Sequence, residues 1–347
     1  VQQQREGYRA RVLADDDGPE LLEAGLWRIP VPLPFALRSA NIYLLADGPD
    51  DWTLVDAGFG LPDDEAALRA GLAFAGVAME QITTLILTHA HPDHIGLAGP
   101  IHAASGAPVY MLAGEEQRMY QVWGEQAEAV ADALAAMYAA HGMAPEQVTG
   151  SQKASARLRT ILKLPPPESV ITLEDGAEIR LSRHTYRAIW TPGHSDRHLC
   201  LLRDDQLFIA GDHILPGITP NIGLYPNARP DPLRDYFWGL ARVHDLPARL
   251  TLPGHRRPFV ALAERVDELR THHEERGDQI HALLVAAAPA GLSALNVAQA
   301  LFGERLRSND DLRFALAESL AHLEYLRTEG RALRHERDDG RITYTVA

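Results

Sequence analysis

Four times in this chain a short apolar run of strand-forming residues ends in a break and then presents side chains able to bind a metal. The first run, Ile82-Thr83-Thr84-Leu85-Ile86-Leu87-Thr88, leads into His89-Ala90-His91-Pro92-Asp93-His94. The others are Ala188-Ile189-Trp190 before Thr191-Pro192-Gly193-His194, Phe208-Ile209-Ala210 before Gly211-Asp212, and Leu250-Thr251-Leu252 before Pro253-Gly254-His255. Apolar runs bounded by Gly and Pro read as buried strands. Loops at strand ends are where a rigid sheet can hold several groups at one point. A chain with this pattern is constrained to a fold whose strands end around a common site.

Imidazole and carboxylate suit zinc, manganese or iron better than copper(I) or a cluster. Four such groups within six residues cannot all reach one ion, so neighbours in the string point two ways. The expectation is two adjacent divalent metal ions, zinc first with manganese or iron as alternatives, and a metal-activated water.

The motifs Thr-His-Ala-His-Pro-Asp-His, Pro-Gly-His194, Gly-Asp212 and Pro-Gly-His255, in this order, resemble those of metallo-β-lactamase-fold hydrolases. Leu54-Val55-Asp56-Ala57-Gly58 resembles the family's early strand and Asp-x-Gly turn, so the resemblance spans roughly residues 25–260. It implies an α/β fold in four αββα layers. It also implies one metal held by His89, His91 and His194, a second held by Asp93, His94 and His255, and Asp212 bridging the two. Asp93 could assist proton transfer as well as ligating. Asp56 would orient a ligand histidine rather than bind metal, with a plain turn residue as the alternative.

The chain's 347 residues are long for one domain, and 46% hydrophobic with 23% charged residues is an ordinary globular composition. No apolar stretch approaches a membrane span, and the first residues lack a signal-peptide layout, so a cytoplasmic address is the expectation. The single cysteine, Cys200, excludes an internal disulfide and reads as a buried thiol within Leu199-Cys200-Leu201-Leu202. A net charge of −14 argues against a nucleic-acid partner, which needs a basic footprint.

Residues 1–24, polar with an acidic run at Asp15-Asp16-Asp17, read as a peripheral lead-in. A catalytic domain is expected over 1–260, with a hairpin at 26–34 and 40–46, a strand at 53–56, and helices at 65–75 and 95–105. Residues 113–164 read as a helical insertion of two or three helices. Its Met119, Tyr120, Trp123, Met137, Tyr138 and Met143 either line an apolar pocket or pack the insertion down. Strands resume at 169–173 and 177–181 around a Glu174-Asp175-Gly176 turn, then at 186–191, 199–203 and 206–210.

Residues 261–347 read as helices closed by a hairpin around Asp338-Asp339-Gly340, a small mostly helical domain resembling a winged helix. This segment carries 11 arginines against 15 acidic residues, a net of −4, which suits a structural module better than a DNA-binding wing. His272 and His273, mid-helix, read as helix surface or domain contact. The expected activity is hydrolysis of an ester or thioester, an acyl thioester or lactone, by a hydroxide of the dinuclear site. The alternative is an endoribonuclease or phosphodiesterase like the lactamase-like nuclease branch. The expected partner is a small-molecule acyl substrate, on a monomer or homodimer without a membrane. Ser195, Asp196, Asn221, Tyr225 and Asn227 are the polar candidates for contacting it.

Overall fold

The computed structural model describes residues 18–34 and 37–347. Strand β3 (Ser39–Ala46) shows why the chain builds two facing sheets. Its Ile42 and Leu44 enter one core while Tyr43 and Leu45 enter another. A strand covered on both faces reads as a continuous apolar run rather than an alternating one.

The first sheet has seven strands in sequence order: β1 (Glu20–Glu23), β2 (Leu26–Pro32), β3, β4 (Trp52–Val55), β5 (Thr84–Ile86), β6 (Val109–Leu112) and β7 (Val170–Leu173). Its first four strands pair antiparallel and the rest parallel. The second sheet runs β12 (Leu250–Pro253), β11 (Leu207–Gly211), β10 (Leu199–Arg203), β9 (His184–Trp190), β8 (Glu178–Leu181). The expected lead-in thus ends as an edge strand, β1, while its residues 1–17 lie outside those described. The turn at residues 174–176 joins β7 in one sheet to β8 in the other.

Between the sheets, Leu26, Tyr43, Leu45, Val55 and Ile86 meet Tyr186, Leu199, Leu201, Leu207 and Leu252. The outer face of the first sheet is covered by α1 (Pro62–Phe74) through Leu68 and Leu72, and by α3 (Ala98–Ser105) through Ala98 and Ile101. The second is covered by α7 (Pro232–Val243) and the first half of α8 (Leu262–Ala286). Each fully buried leucine here contributes about 1.5–3 kcal/mol, so the four layers hold the strand ends rigidly. The helix expected over 95–105 is split into α2 (Pro92–Ile95) and α3. Gly96 lies between them, and a Cβ there would sit 2.0 Å from the Phe59 carbonyl oxygen.

The insertion comprises α4 (Glu115–Trp123), α5 (Ala127–Ala140) and α6 (Pro145–Ile161). Met119 is buried in the first-sheet core, with Tyr120 and Trp123 packed against it. Tyr138 and Met143 are buried, and Met137 half-buried, in a separate core with the second half of α8, α9 (Ala294–Phe302), α10 (Asn309–Thr328) and the hairpin β13 (Ala332–Glu336)–β14 (Ile342–Val346). The insertion's large side chains therefore pack it onto the body and the C-terminal module. Among the described residues no helix is long and apolar enough to cross a membrane.

Candidate metal centre

The strand-end residues expected as ligands all converge beyond the C-terminal ends of β5, β9, β11 and β12. His91 Nδ1 lies 3.0 Å from His89 Nε2 and 2.9 Å from His194 Nε2. Asp93 Oδ2 lies 3.3 Å from His255 Nε2 and 3.8 Å from His94 Nε2. Asp212 adjoins both groups: Oδ1 is 3.6 Å from His94 Nε2, and Oδ2 is 3.5 Å from His194 Nε2 and 3.2 Å from His255 Nε2.

The outward-facing nitrogens fix what faces inward. His194 Nδ1 and His255 Nδ1 donate to the carbonyls of Asn221 and Ser39, at 2.9 and 2.8 Å. A carbonyl only accepts, so each Nδ1 carries a proton and each Nε2 is the nitrogen turned inward. Asp56 does the same for two more rings. Its carboxylate accepts from His94 Nδ1 at 2.8 Å and from the Thr88 hydroxyl at 3.0 Å. With that proton committed, the Thr88 oxygen accepts from His89 Nδ1 at 2.9 Å. Asp56 thus orients rings and lies behind them, in a left-handed conformation (φ 64°) that Asp tolerates better than most side chains.

Electrostatics divide the cluster into two halves. Burial and the neighbouring imidazoles hold His89 well below its ordinary range and His91 at about 3. Burial also opposes charge on His94 and His255, but Asp212 and Asp93 outweigh it, raising His94 well above its usual value and His255 to about 10. Burial likewise opposes the ionisation of Asp212 and Asp93, yet His255 and His94 keep both below the usual carboxylate range. One half presents neutral nitrogen lone pairs, and the other presents carboxylates that demand positive charge.

His94 Nε2, Asp212 Oδ1 and His255 Nε2 are buried without a hydrogen-bond partner among the described residues. Orphaned polar atoms at that depth are costly unless something else satisfies them. Nitrogen and oxygen donors in this number fit divalent cations. The packing leaves little latitude: a Cβ on Gly254 would lie 2.1 Å from Asp212 Oδ1.

Three participants have no strand-end signature in the sequence. His198 Nε2 accepts the Asp212 backbone N–H at 3.1 Å, and its Nδ1 therefore donates to Thr191 at 3.0 Å. Asn221 holds His194 by its backbone carbonyl, a contact any residue type could make. Glu115 accepts from the backbone of Ala90 at 2.8 Å. Thr88, directly before His89, is the one such partner that adjacency could reveal.

Four of the five polar candidates for substrate contact have hydrogen-bond partners within the protein. Ser195 donates to Glu115, Asp196 accepts from the Arg229 backbone, and the Asn221 amide donates to Glu318 at 3.2 Å. The Tyr225 hydroxyl reaches Asn221 at 3.4 Å, and Asn227 is exposed. Cys200 is buried, and burial pushes its thiol up to about 12. His273 is buried, 3.2 Å from His322 across α8 and α10 and edge-on to Tyr236 of α7.

A two-part His/Asp cluster at the strand ends of an αββα sandwich defines the class as a metal-dependent hydrolase fold. The chain belongs to the metallo-beta-lactamase superfamily, whose model matches residues 36–271. A metallo-beta-lactamase-like C-terminal domain model matches residues 280–347. A crystal structure of a metallo-beta-lactamase family protein from Thermus thermophilus is 34% identical, with a TM-score of 0.83, covering 94% of this chain and all of that one. The Bacillus subtilis protein named "Probable metallo-hydrolase YqjP" is 25% identical over 330 residues, 87% of this chain and 92% of its own. An atrochrysone carboxyl ACP thioesterase from Aspergillus fumigatus is 24% identical over 277 residues, 79% of this chain and 69% of its own. This chain is a hydrolase of that superfamily.

Proposed function

We propose that this hydrolase cleaves a carboxylic thioester or ester, an acyl thioester or lactone, using two divalent metal ions, zinc foremost. His89, His91 and His194 would hold one ion, Asp93, His94 and His255 the other, with Asp212 shared. Ions so bound supply Lewis acidity and bring water within reach of deprotonation near neutral pH. The chain's own residues do the rest. Asp56, Thr88, Asn221 and the Ser39 carbonyl keep four imidazoles in one tautomer and orientation. Asp93, ionised at neutral pH and partly open to solvent, takes the proton of the attacking water and passes it to the leaving group.

The observation that carries the carbonyl reading over the phosphodiester one is electrostatic. Residues 217–227, the loop whose Asn221 touches His194, contain no Lys or Arg. Just beyond it, Arg229 is paired with Asp235 at 2.5 Å. A polyanion would meet a chain of net charge −14 with little to offset it. The thioesterase among the relatives supports the same choice.

The test is a hydrolysis screen of metal-loaded protein on acyl thioesters, lactones and single-stranded RNA, each repeated after chelation. Chelator-sensitive thioester or lactone cleavage is expected. RNA cleavage without either would overturn the reading.

A further inference from the structure

Glu115 opens α4, the first helix of the insertion, and only 1% of the residue is exposed. A carboxylate at that depth is destabilising unless hydrogen bonds compensate it. Three donors do so here. Oε1 accepts from the Ala90 N–H at 2.8 Å and from the Ser195 hydroxyl at 2.5 Å, and Oε2 accepts from the Arg197 N–H at 3.1 Å. The far end of the same helix reaches back to the same place, where Trp123 Nε1 donates to the Ala90 carbonyl at 2.8 Å.

The identity of these partners gives the arrangement its meaning. Ala90 stands between His89 and His91, and Ser195 directly follows His194. One carboxylate therefore ties together the two loops that supply the three-histidine group, although they lie about a hundred residues apart in the chain. The other group is secured by different elements. His94 is held by Asp56 and by the Ala57 N–H, which donates to its carbonyl at 2.7 Å, and His255 is held by Ser39.

We propose that Glu115 is a positioning residue that sets the spacing of His89, His91 and His194, so that the helical insertion serves the metal centre as a clamp. This rests on the metal-binding reading above. Residues that orient metal ligands typically carry about a 10- to 100-fold effect on metal affinity. Here that effect should fall on one of two metals and spare the other.

The experiment titrates cobalt(II) into metal-free wild-type protein and the Glu115→Gln, Glu115→Ala and Trp123→Phe variants. It reads visible absorption, with stoichiometry from elemental analysis. Glu115→Gln keeps one acceptor oxygen but sets an NH2 group against the Arg197 N–H. Trp123→Phe removes the indole N–H with part of the ring's bulk while keeping an aromatic side chain against the core, and keeps the test open should Glu115→Ala fail to fold. Wild-type protein should take two equivalents. In the variants one equivalent should bind as before and the other about 10- to 100-fold more weakly, least so in Trp123→Phe, with a changed spectrum for that site alone. Unchanged affinities in all three variants, or equal weakening of both equivalents, would overturn the proposal. A wild-type protein that takes up no metal would instead overturn the metal centre itself.

Discussion

At the scale of single residues, Asp56 answers for two imidazoles at once. Its carboxylate fixes His94 directly and His89 through the Thr88 hydroxyl, and also accepts the Thr88 N–H at 2.8 Å. Removing it frees two rings on both sides of the cluster. Asp56→Gly suits the left-handed backbone and deletes only the carboxylate, so it should lower metal affinity about 10- to 100-fold while leaving the fold intact. Competition against a chromogenic chelator measures this, and wild-type affinity would return Asp56 to a plain turn residue. The convergent strand-end residues were legible because each carries its own local signature, an apolar run, a break and a side chain able to bind metal. Glu115, His198 and Asn221 carry none, since their roles arise from contacts made across the fold.

At the scale of elements, α10 reaches the candidate metal centre without contributing a side chain to the cluster. Asn221, whose carbonyl orients His194, donates its side-chain amide to Glu318 and to the Phe314 carbonyl at 3.3 Å. The Leu224 N–H donates to the Ala317 carbonyl at 3.1 Å, so the loop is laid along that helix at two points. Asn221→Ala keeps the carbonyl but removes the tether. We expect metal affinity to fall about tenfold with helical content unchanged by circular dichroism, and equal affinity would leave the module without influence on the site. Helices were legible unevenly. In α7, Leu233, Tyr236, Leu240 and Val243 recur at helical spacing behind an Asp231 cap, yet the sequence reading assigns nothing there. Its Arg, Trp and Gly residues dilute the apolar stripe. The turn at residues 174–176 was visible, but that it crosses between sheets was not, because local sequence says nothing of which sheet a strand joins.

At the scale of the whole molecule, the C-terminal module, the insertion and the second sheet's helices meet at buried histidines whose burial outweighs any neighbouring carboxylate. His322 lies 3.2 Å from His273 where α8 and α10 meet, and His273 in turn packs edge-on against Tyr236 of α7. Burial lowers His322 to about 4, with Arg276 and His272 adding to the effect. Burial, with Arg334 nearby, lowers His141 at the end of α5 to about 4 as well. Below about pH 6.5 the unfolded chain takes up protons on these rings that the folded chain refuses, so acid favours unfolding. Each ring should withdraw about 1.4 kcal/mol of stability per pH unit as pH falls from about 6.5 toward 4. His322→Gln retains a polar side chain but cannot titrate, so its unfolding temperature should fall less steeply over that interval than that of wild type. The metal centre's own acid sensitivity is common to both proteins and cancels in the comparison. Parallel curves would mean that His322 takes up its proton in the folded protein as readily as in the unfolded chain, and that the α8–α10 junction admits a charge on that ring.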